Sequence, residues 1–306
     1  MARTCSCPPV NRGTIHPFTW GSPYSGVIVS EDRQPYGYQF LKVSGKEMLE
    51  GIELRVLMRI AENIEALELH MNLTGQNSVI YPALLWGSEG ATLVDTGIPG
   101  QLDAIRREIE NAGVDFESVR RIVLTHQDID HIGGLPEIVR VRGGEIEVLA
   151  HEEDKPYIEG DKPLIKMNGE RMVQMMASLP ESQRQQLERI ISTPPSGRVD
   201  RTLHDGEELP LHGGIQVIHT PGHTPGHLSL FVKKARLLIA GDQLVVEEGE
   251  LVGPREWATA DMESAKASLR KLTGYQIDYV LCYHGGFYGP NASEKIAQLS
   301  ARANGR

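Results

Sequence analysis

Four side chains of metal-ligand type fall within six positions of Thr125-His126-Gln127-Asp128-Ile129-Asp130-His131, directly after the apolar run Ile122-Val123-Leu124. A strand feeding a sharp loop of this kind can aim His126, Asp128, Asp130 and His131 at one point. Imidazoles mixed with carboxylates suit zinc, iron or manganese rather than calcium or copper(I). Three later stretches supply what such a cluster would lack. His223 sits in the turn Thr220-Pro221-Gly222-His223-Thr224-Pro225-Gly226-His227, between the strand-like runs Ile215–His219 and Leu228–Val232. Asp242 follows Leu237-Leu238-Ile239-Ala240 through Gly241, and His284 follows Tyr279-Val280-Leu281-Cys282-Tyr283 and precedes two glycines. Side chains at strand ends are held by the sheet yet reach solvent, which favours building a site there.

This order of motifs resembles the metallo-β-lactamase-fold hydrolases: H-x-H-x-D-H, a Pro-Gly-His turn, a Gly-Asp and a late His. Asp95, in Leu93-Val94-Asp95-Thr96-Gly97, matches the family's early structural aspartate beneath the metals. The resemblance runs from about Met58 to near the C-terminus. It implies a four-layer αββα sandwich with two divalent metal ions at one edge of the paired sheets. Carried over residue by residue, it gives the first ion His126, Asp128 and His223. The second takes Asp130, His131 and His284, with Asp242 bridging both.

One position departs from the pattern. The second His of the first motif is Asp128, so the chain reads H-x-D-x-D-H. A carboxylate is a harder ligand than imidazole and adds a negative charge, which leaves zinc as the leading ion but admits iron or manganese. The variant is similar to that of flavodiiron proteins, where a Glu stands at this place, although the chain has no room for their flavin domain. Two ions about 3.5–4 Å apart would bridge a water and bring its pKa from 15.7 towards about 7. The resulting metal-bound hydroxide would attack an acyl or phosphoryl centre, with Asp130 as the catalytic residue able to accept the nucleophile's proton. No serine nucleophile is required.

The implied activity is hydrolysis of a small ester, lactone or thioester. The C-terminal helical domain of glyoxalase II is missing, since twenty-two residues follow His284. Acyl-homoserine lactonases match the length better, but their tyrosine three positions beyond the bridging Asp is Val245 here. A true β-lactamase fits poorly, because those enzymes lack an aspartate of the Asp242 type and no export signal is evident. The alternatives are iron-dependent oxygen, nitric oxide or persulfide chemistry, and phosphodiester hydrolysis.

Other residues are read as structural. His219 and His227 each lie four residues from His223, and the bend at Pro221-Gly222 selects His223 among the three. His151, His204 and His212 are expected in loops. Cys5 and Cys7 are too few for a zinc module, and Cys282 lies in an apolar strand as a buried thiol. With 31 Lys+Arg against 41 Asp+Glu the net charge is −10. That balance argues against nucleic acid as partner. No run of eighteen apolar residues exists, so no membrane-spanning helix is expected, and a cytoplasmic address is the simplest reading.

The elements that must position the site follow from apolar periodicity. Residues 1–57 show little period and several prolines and glycines, and are expected to be a flexible extension; 58–306 form the catalytic domain. Ile64–Leu69, Ser78–Leu85, Ala91–Asp95, Arg121–Leu124 and Glu147–Ala150 read as strands. Gln101–Ala112, Leu135–Val141, Glu181–Ser192, Asp261–Leu272 and Ser293–Arg302 read as helices. A helical insert over 155–201 carries Met167, Met172, Met175 and Met176. It is the expected specificity element for a small-molecule substrate, with a lid packed on the core or a homodimer contact as the plainer roles.

Overall fold

Along strand after strand, successive apolar side chains go to different cores, as a period of two requires. The computed structural model describes residues 28–29, 39–40, 43–44, 56–72, 77–167, 176–177, 179–303 and 305. The first sheet comprises β1 (Val56–Ala61), β2 (Ile64–Ala66), β3 (Ala83–Gly87), β4 (Gly90–Val94), β5 (Val119–Val123), β6 (Glu147–His151) and β7 (Arg201–Leu203). Its order is β7-β6-β5-β4-β3-β2-β1, with Gln39–Phe40 added outside β1. Strands β4 to β7 run parallel, and β1 to β4 pair antiparallel. The second sheet holds β8 (Glu208–Leu209), β9 (Ile215–His219), β10 (Leu228–Val232), β11 (Leu237–Ile239), β12 (Tyr279–Cys282) and β13 (Gly286–Tyr288) in that spatial order. All its pairs are antiparallel except β11 with β12.

The two sheets face one another across a core that takes Leu85, Val94, Val123 and Leu149 from the first and Val217, Leu230, Ile239 and Leu281 from the second. Their alternating neighbours point outward. Ile122, Leu124 and Val148 pack under the helices Leu102–Asn111 and Leu135–Arg142 through Ile105, Ile109 and Ile138. Ile218, Leu238 and Val280 pack under Met262–Leu272 and Ala292–Ala303 through Leu269, Leu272 and Ile296. This is the expected four-layer αββα sandwich. Hydrophobic burial fixes the register, because a slip of one residue would exchange core and outer faces on every strand.

Local signals were followed closely at the helices. Asp261 caps Met262–Leu272 by accepting from the backbone N–H groups of Glu263 and Ser264. Gly113, at φ +80°, stops Leu102–Asn111. Two strands are shorter than expected. Ser78–Leu85 divides into Ser78–Ile80 and β3, since Pro82 has no N–H to give to a ladder. Ile64–Leu69 likewise divides, and Leu69–Met71 turns away to form a hairpin with Ser78–Ile80. His151, expected in a loop, closes β6 and stacks on His219 at 3.9 Å between ring centres.

The extension expected over 1–57 lies mainly outside the described residues, as do Cys5, Cys7, Met172 and Met175. The described part of the 155–201 insert includes Lys155–Ile158, the 3-10 turn Ile165–Met167 and the helix Glu181–Ser192. Leu179 and Leu187 pack with Ile98 and the partly buried Met71 and Met176.

Candidate metal centre

The seven residues singled out from the sequence converge at the edge where both sheets end. His126, Asp128, His223 and Asp242 each present one ligand-type atom within 4.8 Å of the others, and so do Asp130, His131 and His284. The first sheet supplies His126 to His131 from the loop after β5. The second supplies His223 from the β9–β10 turn, Asp242 from the end of β11 and His284 from the end of β12.

Asp242 faces both groups. Its Oδ2 lies 3.3 Å from His223 Nε2 and 3.4 Å from His284 Nε2, and its Oδ1 lies 3.3 Å from His131 Nε2. The other neighbouring pairs are His126 Nε2 to Asp128 Oδ2 at 3.2 Å, His223 Nε2 to Asp128 Oδ2 at 2.9 Å and His284 Nε2 to Asp130 Oδ2 at 3.3 Å. A tetrahedron with metal–ligand bonds of about 2.0–2.1 Å has edges of about 3.3 Å, so these spacings fit ligands sharing an ion. Nε2 of His126, Nε2 of His131 and Oδ1 of Asp242 are buried without a hydrogen-bond partner. Native proteins rarely leave such atoms unmatched, and divalent ions would satisfy all three.

The proton positions on the rings follow from their outer partners. Asp95 takes an unusual φ of +64° after β4, which turns its carboxylate toward the loop. Its Oδ1 accepts from Thr125 N at 2.8 Å, and its Oδ2 accepts from the Thr125 hydroxyl at 2.8 Å and from His131 Nδ1 at 2.9 Å. The Thr125 hydroxyl, having spent its hydrogen, accepts from His126 Nδ1 at 3.0 Å. Both rings therefore carry their proton on Nδ1 and turn a free Nε2 pair to the cluster, the arrangement that orients metal-binding imidazoles.

Without an ion, the surrounding carboxylates favour an added proton on two of these rings, a proton that a metal would displace. Burial opposes charge on His131, but the carboxylates of Asp95, Asp242 and Asp130 outweigh it and hold its pKa well above the ordinary imidazole value. His284 is likewise raised to about 9, Asp242 overcoming the burial. Burial would raise Asp128, yet Lys166 and His126 hold it well below the carboxylate range; His284, His223 and His131 do the same for Asp242. His223 is pushed the other way, to about 4, chiefly by burial.

Sequence reasoning left His227 as structural or, as the lesser alternative, a support beside the ligands, and it missed the other supports. His227 Nε2 accepts the backbone N–H of Asp242 at 2.9 Å and gives its Nδ1 proton to Thr220 at 2.8 Å. Thr220 donates to Ser229 at 3.0 Å, which donates to Ala240 O at 3.0 Å. This relay pins β11 just where Asp242 leaves it. Asp154 joins the two ligand loops: its Oδ2 accepts from Gln127 N at 3.0 Å and the Thr224 hydroxyl at 2.7 Å, and its Oδ1 from Gly226 N at 2.8 Å. Tyr283 stacks on His131 at 3.7 Å and donates its hydroxyl to Asp130 O. His284 is seated by a bridge to Ile80 and by Val246 N donating to its carbonyl at 3.1 Å. His204 and His212 stand away from the cluster in turns, as expected. Cys282 is buried, and burial holds its thiol well above the usual range.

A cavity of about 910 Å³ opens over the cluster, with Asp128, Asp130, His223, Asp242 and His284 in its floor. Met71, Leu164, Met167, Leu187, Val245 and Trp257 make much of its wall apolar. Among the described residues no helix is long and apolar enough to cross a membrane.

A two-sheet sandwich with a histidine–carboxylate cluster at its rim and an apolar pocket above defines a metallo-hydrolase. The family model of the metallo-β-lactamase superfamily matches residues 77–284, and the chain belongs to that superfamily of metal-dependent hydrolases. It is 29% identical over 230 residues to the probable metallo-hydrolase YflN of Bacillus subtilis, covering 69% of this chain and 81% of the relative. It is 28% identical over 218 residues to the hydroxyacylglutathione hydrolase GloC of Haemophilus influenzae, covering 70% and 88%. Among solved structures, the metallo-β-lactamase family protein TTHA1429 of Thermus thermophilus superposes with a TM-score of 0.59 at 23% identity, over 79% of this chain and 80% of that one. The last is a likeness of fold.

Proposed function

We propose that the seven side chains hold two divalent ions and that the chain hydrolyses a small ester, lactone or thioester. His126, Asp128 and His223 would hold one ion, Asp130, His131 and His284 the other, and Asp242 both. The observation that carries this reading is the Asp242 carboxylate, which lies within 3.4 Å of imidazole nitrogens belonging to both groups. Such a pair of ions supplies an activated water and a Lewis acid for the substrate's oxygen. The chain's own part is to hold and to exclude. Asp95 and Thr125 keep His131 and His126 in the ligating tautomer. Asp130, in the pocket floor, is the carboxylate that would take a proton from an attacking water. The apolar wall dries the reacting centre and accepts an acyl chain, which strengthens each charge interaction inside.

The carboxylate at Asp128 keeps iron and manganese beside zinc as candidate ions, and with iron the redox alternative of the same fold. That GloC is a hydroxyacylglutathione hydrolase supports a thioester among the substrates to try. The test is metal analysis of the purified chain, followed by a panel of lactones, thioesters and phosphodiesters after reconstitution with zinc, manganese or iron. About two ions per chain and acyl hydrolysis are expected. Well under one ion per chain would overturn the reading, and oxygen consumption with iron but no hydrolysis would replace it with the redox one.

A further inference from the structure

Asp128 has a partner that no motif announced. The Lys166 ammonium, from the 3-10 turn Ile165–Met167 of the insert, donates to Asp128 Oδ2 and to His223 Nε2. Those two atoms are 2.9 Å apart, and both are electron-pair donors when the carboxylate is ionised and the imidazole carries its single proton on Nδ1, the tautomer in which Nε2 can accept from Lys166. Two lone pairs that close repel unless something positive lies between them, and Lys166 supplies it.

The contact is not a chance reach of a long side chain. The backbone N–H of Ile165 donates to Gln127 Oε1 at 2.9 Å, and Gln127 immediately precedes Asp128. Leu164 and Met167 on either side are buried in the core cluster beneath the first sheet. The turn is thereby fixed against the ligand loop, with the lysine stem crossing only from insert to loop. The Lys166 side chain keeps 30% of its surface exposed and lines the same cavity, so rotation of the stem would carry its charge into the pocket without moving the turn. A histidine at position 128 would be a neutral ligand. The aspartate adds one negative charge to the first group, and the lysine brings one positive charge to the atom that carries it.

We infer that Lys166 is the internal counter-ion of Asp128 and competes with a divalent ion for the same carboxylate and imidazole, lowering the affinity of the first position. This rests on the proposed metal reading. The lysine is a positioning residue: it acts on the cradle and on the ligand it pairs with. When a divalent ion takes Asp128 and His223, the ammonium must leave both, and the lost pairing together with like-charge repulsion opposes binding.

The experiment measures Zn²⁺ affinity by competition with a chromogenic chelator. It compares the full-length chain with Lys166→Met, Lys166→Arg, Asp128→His and the double variant Asp128→His with Lys166→Met. Lys166→Met should tighten the weaker Zn²⁺ equivalent about tenfold, the effect of about 1.4 kcal/mol, while Lys166→Arg stays near the parent. In the Asp128→His background the same substitution should give a clearly smaller gain, since the carboxylate partner is gone and only His223 Nε2 remains to hold the ammonium. Equal affinity in parent and Lys166→Met, or an equal gain in both backgrounds, overturns the counter-ion. A parent chain binding well under one ion would instead sink the metal reading itself. Should Lys166→Met melt early, Lys166→Gln repeats the comparison, with near-equal affinity again overturning the proposal.

Discussion

At the scale of single residues, protons and metal ions compete for the same lone pairs. His284 in the folded chain has a pKa of about 9, above the ordinary imidazole value of 6.5. A raised value means that the protonated form is favoured by folding. In the metal-free chain that stabilisation is complete below about pH 6.5 and is lost as pH rises through about 9. A metal must displace this proton, so apparent Zn²⁺ affinity should climb across the same window and level off beyond it. Isothermal titration in buffers of differing ionisation enthalpy would count the released protons; flat affinity between pH 6.5 and 9 would contradict the assignment of His284. His227 gives a second test, since it touches Asp242 only through the backbone. His227→Leu should lower metal affinity or turnover about 10- to 100-fold, the usual effect of removing an outer support, without removing a ligand.

At the scale of elements, the same features decide what sequence could and could not reveal. Each of the seven cluster residues lies just past an apolar run, and glycine or proline adjoins His223, Asp242 and His284, so strand-end patterning betrayed its place. Asp154 gave no such signal. It ends the acidic run Glu152-Glu153-Asp154, and its partners Thr224 and Gly226 are 70 and 72 positions away. Lys166, likewise, meets Asp128 across 38 positions through a segment with no strong period. Long-range hydrogen bonds leave no local trace, whereas strand burial does. The seams between elements are also the tightest packing. A Cβ added at Gly285 would lie 1.9 Å from Val246 O, and its φ of +88° already favours glycine. Gly285→Ala should therefore cost about 1–3 kcal/mol of stability and shift His284, read as a lower Tm and weaker metal retention. Wild-type values for both would refute the close approach.

At the scale of the whole molecule, three buried or nearly buried carboxylates at one rim repel one another, and divalent ions would cancel that repulsion. Chelation with EDTA should accordingly lower the melting temperature. An ion present at 100 times its Kd adds about 2.7 kcal/mol to a chain that binds it only when folded. Scanning calorimetry with and without chelator would measure this, and identical melting curves would deny the ions any part in holding the rim together.

The division of the cluster has one more consequence. His126, Asp128, Asp130 and His131 lie before β8, while His223, Asp242 and His284 lie after β7. The turn His204-Asp205-Gly206 between those strands is exposed. Nicking the chain there would leave two pieces, each a poor chelator with half a coordination sphere, whose reunion alone restores a complete one. Metal capture would then report on the meeting of the two halves, turning an ion into a reagent for watching the sandwich close.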